Sequence, residues 1–153
     1  MILWRISNHA DLRGVGGRRS AGRWHVRGVP VVYLAESAAL AMLETLIHFE
    51  LAPDEAPADF QLLEVQCPDD IGIMSLENSR LPEGWRDDCP LTQRLGAEWL
   101  RSRSSALLRV PSAIVPKSFN YLFNPLHDQA GRVSIRSSRR HPYDARLFSR
   151  SNR

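Results

Sequence analysis

Three side chains able to handle a charged ligand stand close together in the first third of the chain: Arg23, Tyr33 and Glu44. Arg23 is flanked by Gly22 and Trp24 and precedes an apolar run over residues 29–34 that carries Tyr33. Ser37 then precedes Leu40, Leu43, Leu46, Ile47 and Leu51, whose spacing predicts a helix over residues 37–51 with these side chains on its buried face. Glu44 stands four residues after Leu40 and three before Ile47, so the same geometry turns its carboxylate inward. A carboxylate among apolar neighbours costs on the order of several kcal/mol unless it is paired, protonated or facing a wet pocket. Two readings follow: a structural ion pair with Arg23 or Arg27, or a charge-bearing group in a functional cleft.

Other candidates are more scattered. Arg5 lies in an apolar opening segment, residues 1–6, that reads as a strand with Trp4 and Arg5 on opposite faces. Ser112 follows Pro111 outside any G-x-S-x-G elbow, so its hydroxyl suits a ligand contact or a turn cap better than nucleophilic attack. Asn124 precedes Pro125, as in a turn after an aromatic strand. Gly14, Gly16 and Gly17 resemble a dinucleotide fingerprint only superficially, because Arg19 stands where the third glycine belongs. The five histidines have neither H-x-H nor H-E-x-x-H spacing, so no metal ligand set is expected. Cys67 and Cys89 have no metal spacing either, and reduced thiols are expected.

The 153 residues suit one domain with a substantial core. No segment is apolar enough to cross a bilayer, and the N-terminus lacks the order of a secretion signal, so a cytoplasmic protein without membrane contact is expected. Charge is unevenly spread. No Lys or Arg occurs between Arg27 and Arg80, whereas that span holds ten Asp and Glu, and arginines crowd both ends. Of 20 basic residues 19 are Arg, which favours bidentate phosphate or carboxylate contacts.

The supporting elements can be laid out in order. A long Gly- and Arg-rich loop is expected over residues 11–28, an exposed connection over 52–59, a strand over 60–67 and an irregular stretch over 68–86. A second helix is expected from about residue 90 to 103, burying Leu91, Leu95 and Trp99. Strands follow over 106–110 and 119–125, with a short extended piece between them, and two more near 133–135 and 146–148. Two helices among five or more strands, not in strict alternation, predict an α+β domain with a mixed, largely antiparallel sheet.

Several blocks carry a family resemblance: Trp4-Arg5-Ile6, Gly22-Arg23-Trp24 through Val32-Tyr33-Leu34, Glu44, and Val110-Pro111-Ser112 through Asn120-Tyr121-Leu122-Phe123-Asn124-Pro125. In this order they resemble the RES-domain toxins, whose Arg, Glu and Ser are best matched by Arg23, Glu44 and Ser112. The resemblance runs over residues 1–148 and leaves 149–153 as a short basic tail. It implies a fold similar to the ADP-ribosyltransferase toxins and the toxin of a type II toxin–antitoxin pair. Such a toxin depletes NAD by hydrolysis or phosphorolysis, so NAD is substrate rather than cofactor and inorganic phosphate a co-substrate in the second case. The implied partner is a Xre-type helix-turn-helix antitoxin, with operator DNA reached only through it, and a homodimer is left open.

The resemblance gives the candidates roles. Glu44 stabilises the oxocarbenium-like ribose, Arg5 and Arg23 bind the pyrophosphate, Tyr33 stacks on nicotinamide and bonds its carboxamide, and Ser112 and Asn124 orient ribose or amide. Two alternatives remain: ADP-ribosyl transfer to a protein or small molecule, and a non-enzymatic nucleic-acid-binding module using the arginine-rich ends.

Overall fold

The structure is a computed structural model that describes residues 1–49 and 57–148. Among the described residues, seven strands form one sheet in the order β4-β5-β6-β2-β1-β3-β7. They are β1 Ile2–Ile6, β2 Val32–Ala35, β3 Asp59–Gln66, β4 Ile73–Ser75, β5 Leu107–Pro111, β6 Phe119–Phe123 and β7 Ser134–Pro142. Only β4 and β5 run parallel; the other pairs are antiparallel. The expected α+β class and mixed, largely antiparallel sheet are therefore both observed.

Alternation along the central strands divides the apolar side chains between two faces. Leu3, Val32, Leu34, Leu63, Val65 and Phe123 belong to one buried cluster. On the other side, Leu108, Val110 and Leu122 pack with Trp24, Trp85, Trp99 and Leu100. A third, smaller cluster joins Ala35, Leu40 and Ala41, flanked by Trp4 and Ile6. Helix α3 (Cys89–Ser102) thus covers the β5–β6 half of this second face, and helix α2 (Ala38–Ile47) the β1–β2 half. The candidate cleft lies between α2 and the chain of residues 16–25.

Both helices carry the expected start signals. Ser37 accepts the amide of Leu40 at 3.1 Å to cap α2, and Asp88 accepts that of Leu91 at 3.0 Å to cap α3. Their buried faces differ from the expected ones. Leu40 is buried, but Leu43 is 46% and Ile47 60% exposed, and Leu51 lies outside the described residues. The helix and its cap line the cleft with Ala41, Glu44, Thr45, Ile47 and His48. In α3, Trp99 is buried as expected, Leu91 and Leu95 are half-buried against the same cluster, and Thr92, Gly96 and Leu100 are buried as well.

Other departures follow from local chemistry. The expected loop over 11–28 contains a short helix α1, Val15–Arg19. Its two glycines carry poor helix propensity and no apolar stripe, so nothing in the sequence advertises it. A Cβ on Gly17 would approach the Val29 carbonyl to 2.6 Å, so close packing onto the following chain holds this turn. The irregular stretch 68–86 contains β4 and two turns of 3-10 helix. The expected short strand near 133–135 is the nine-residue edge strand β7, polar because only one side is paired. Residues Ala145–Leu147 form a 3-10 turn rather than a strand. The basic tail, residues 149–153, lies outside the described residues.

Candidate functional site

Strands β1 and β2 are joined at a single register pair, Trp4↔Ala35, whereas β1 and β3 share five. Beyond Trp4↔Ala35 the two strands part, and Arg5 and Ile6 of β1 face Tyr33 and Leu34 of β2 across a cleft of about 630 Å³. That volume falls in the range of small-molecule sites. Trp4 and Arg5, expected on opposite faces with one in the core and the other toward a cleft or solvent, both line this opening because the strands separate there.

The floor is organised around Glu44. Ser112 donates its hydroxyl to Glu44 Oε1 at 3.0 Å, and Asn120 Nδ2 donates to the same oxygen at 2.6 Å. No hydrogen bond to Oε2 is present among the described residues, so this oxygen is left to the cleft. Glu44 takes part in no ion pair among the described residues, and the structural pairing with Arg23 or Arg27 is not the arrangement observed. Ser112 is 1% exposed and its Oγ also accepts the amides of Ile114 and Val115, both at 3.1 Å. Its hydroxyl is fully used in capping a turn and fixing Glu44, so it is not placed to touch a ligand.

Two guanidinium groups line the same cleft. Arg23 Nη1 donates to the Arg86 carbonyl at 2.7 Å, which steers the side chain along the rim. Its backbone is clamped by α3: Thr92 Oγ1 donates to the Arg23 carbonyl at 2.6 Å and Gln93 Nε2 to the Gly22 carbonyl at 2.9 Å. A Cβ on Gly96 would stand 1.8 Å from the Trp24 carbonyl, so only glycine lets α3 lie this close to the turn. Arg5 Nη1 donates to the Asp11 carbonyl at 3.0 Å. Burial lowers the Arg5 pKa and the Asp11 carboxylate raises it, but an arginine stays charged at any ordinary pH.

Tyr33 presents its ring to the cleft and keeps its hydroxyl turned away. The Tyr33 Oη accepts the Trp24 amide at 3.0 Å and lies 2.8 Å from His25 Nδ1. Burial pushes the Tyr33 pKa well above the ordinary range, a rise only partly offset by the Trp24 hydrogen bond and the Arg23 charge. The hydroxyl expected to bond a carboxamide is engaged instead by the Trp24 amide and the His25 ring, which leaves the ring face as the part of Tyr33 open to a ligand.

Among the six expected site residues, Arg5, Arg23, Tyr33 and Glu44 line one cleft, and Ser112 stands directly behind Glu44. Asn124 does not join them. It is 1% exposed, donates to the Leu100 carbonyl at 3.3 Å and accepts the Leu126 amide at 3.0 Å, tying the end of α3 to the turn after β6. The asparagine that does reach Glu44 is Asn120, four positions earlier, on β6. Its signals in the sequence are a polar side chain within an apolar strand and its place in the block that carries the family resemblance. Thr92, Gln93 and Gly96 were likewise missed, because their work is on the backbone of a distant turn.

Residues 2–145 match the family model described as RES domain. The chain is 48% identical over 148 residues to Toxin Res of Pseudomonas putida, covering 97% of this chain and all of that one. It is 37% identical to the Prs ADP-ribosylating toxin of a Sphingobium strain, covering 97% and 98% of the two chains. It is 40% identical to Toxin Res of Yersinia enterocolitica, covering 83% and 86%. The fold is shared with the crystal structure of the M. tuberculosis MbcT–MbcA toxin–antitoxin complex, at TM-score 0.76 and 22% identity over 96% of this chain and 86% of that one.

Proposed function

Because the chain belongs to the RES domain family, we propose that it is the toxin of a toxin–antitoxin pair and that its cleft cleaves the bond between nicotinamide and ribose in NAD. The carrying observation is Glu44, held by two donors on Oε1 with its second oxygen facing a cleft walled by Arg5 and Arg23. As the bond breaks, its electron pair leaves with the nicotinamide nitrogen and the ribose takes on oxocarbenium character. A carboxylate fixed beside that ring stabilises the developing charge without reorganising. Arg5 and Arg23 present planar donors suited to a pyrophosphate. The Tyr33 ring supplies a stacking face for nicotinamide.

The nucleophile that completes the reaction is water, giving hydrolysis, or inorganic phosphate, giving phosphorolysis. The Sphingobium relative, named for ADP-ribosylation, supports a second reading in which the acceptor is a protein side chain. The three share their first half and differ only in what reaches C1 of the ribose. Incubating the protein with NAD, with and without phosphate, and identifying the ribosyl product separates them. Absence of nicotinamide release in all arms overturns the reading.

The partner we propose is a Xre-type helix-turn-helix antitoxin, in keeping with the toxin–antitoxin complex whose fold this chain shares. Co-expression with such a protein should relieve growth arrest, and operator DNA should be bound by the complex and not by the toxin alone.

A further inference from the structure

His25 is 3% exposed, next to two candidate site residues, and has so far been given no part. Its hydrogen bonds fix where its proton sits. His25 Nε2 lies 2.9 Å from the Ser20 carbonyl and 3.2 Å from that of Gly17. Carbonyls only accept, so Nε2 carries the hydrogen, and in the neutral ring Nδ1 is then an acceptor. Tyr33 Oη is 2.8 Å from Nδ1, and because Nδ1 of that neutral ring can only accept, the hydroxyl that takes the Trp24 amide gives its own proton to the histidine. The result is a directed chain from the Trp24 amide through the Tyr33 hydroxyl and the His25 ring to the backbone of residues 17–20.

Packing leaves little freedom to reverse it. A Cβ on Gly22 would stand 2.6 Å from Tyr33 Oη and 3.0 Å from the His25 ring, so glycine before Arg23 makes room for the pair. The two rings lie 5.5 Å apart between centroids. His25 therefore ties the turn bearing Arg23 to the strand bearing Tyr33.

We propose that His25, as the neutral Nε2–H tautomer, is the positioning residue that aligns the Tyr33 ring with the Arg23 turn by holding the tyrosine proton. This rests on the NAD-cleaving reading for its kinetic consequence, though the tautomer itself does not. In binding, the tyrosine presents a ring face whose orientation is set from behind, so loss of the histidine acceptor misaligns bound substrate rather than removing a contact to it.

Two substitutions divide the ring's functions. In His25→Asn the side-chain oxygen stands near the place of Nδ1 and can still take the tyrosine proton. In His25→Gln the side-chain NH2 stands near the place of Nε2 and can still bond residues 17–20, but the acceptor for tyrosine is lost. We expect kcat for nicotinamide release to be about tenfold or more higher in His25→Asn than in His25→Gln. In a Tyr33→Phe background that ratio should collapse to near one. An unchanged ratio in that background, or equal kcat in the two single variants, overturns the proposal. Independently of activity, 15N spectra of the histidine-labelled wild-type chain should show Nε2 protonated and Nδ1 unprotonated for His25, with the Nδ1 signal displaced in Tyr33→Phe. An Nδ1–H tautomer, or no response to Tyr33→Phe, overturns it even if the chain folds poorly once His25 is changed. Failure of the wild type to release nicotinamide would instead count against the NAD reading, leaving the spectra to judge the histidine.

Discussion

Asn120 Nδ2 lies 2.6 Å from Glu44 Oε1, a contact that spans 76 positions of sequence and joins strand β6 to helix α2 across the floor of the cleft. It brings a second donor to an oxygen that already accepts the Ser112 hydroxyl. The carboxylate is thereby fixed in one rotamer, with its other oxygen directed into the open space.

If Glu44 acts on the transition state, Glu44→Gln should lower kcat for nicotinamide release by about 10²-fold or more while KM changes little. Asn120→Ala leaves the charge and removes one of its two supports, so a smaller loss of kcat, about tenfold, is expected. Steady-state kinetics on both variants checks the order. A drop in Asn120→Ala as large as in Glu44→Gln would mean that the asparagine does more than hold the acid.

Arg23 is held by its backbone more than by its side chain, since Thr92 and Gln93 grip the carbonyls of Arg23 and Gly22. Truncating it should leave the turn in place and remove donors from the rim. For Arg23→Ala we expect KM for NAD to rise about tenfold or more with kcat nearly retained, the pattern of lost uniform binding. A kcat loss with KM unchanged would remove Arg23 from ground-state binding. Arg23→Lys should recover little, because a point charge does not reproduce a planar fork.

The parts of this site legible in the sequence are those whose signal is local. A capping serine and a helical period located α2, and an acid within that period located Glu44, although the cleft is lined beside it by Ala41, Thr45, Ile47 and His48, and Leu43 is exposed. Glycine beside Arg23 marked a turn. What escaped was long-range: the parting of β1 and β2, the reach of Asn120 to α2, and the contact of α3 with the Arg23 turn. Register and crossover decide such contacts, and residues 92, 93 and 96 look like an ordinary polar helix face until the turn is laid against them. Asn124 was the converse case. Its type and its place before Pro125 suited a ligand contact equally well, and only its burial and its bonds to the backbone of Leu100 and Leu126 assign it to the scaffold.

Burial pushes the Cys67 thiol up from 9.0 to about 11, against a smaller opposing pull from the N-terminal ammonium. The folded pKa lies above the unfolded one, so the neutral thiol is favoured by folding. That stability is fully present below pH 9 and is lost as pH rises toward 11, at most about 3 kcal/mol across the window. Tyr33 adds a loss of the same sign only above about pH 10, where free tyrosine begins to ionise. Urea unfolding measured between pH 8 and pH 10 should therefore show a steeper decline in the wild type than in Cys67→Ala. Parallel declines would remove Cys67 as the source.

Gly96 decides whether α3 can press on the Arg23 turn. An added methyl would meet the Trp24 carbonyl at 1.8 Å, and neither helix nor turn can yield without disturbing the bonds from Thr92 and Gln93. Gly96→Ala should therefore cost about 1–3 kcal/mol, the range for overpacking a filled interior. It should also raise KM for NAD, because the displaced turn carries Arg23. Gly16 provides the contrast: it sits within α1, and a Cβ there meets nothing within 4 Å. Gly16→Ala should hold or raise stability by about 0.4–1 kcal/mol through the unfolded chain's lost freedom. Thermal unfolding of the two variants reads the difference directly. A Gly96→Ala protein as stable as the wild type would mean that α3 stands farther from the turn than the 1.8 Å approach requires.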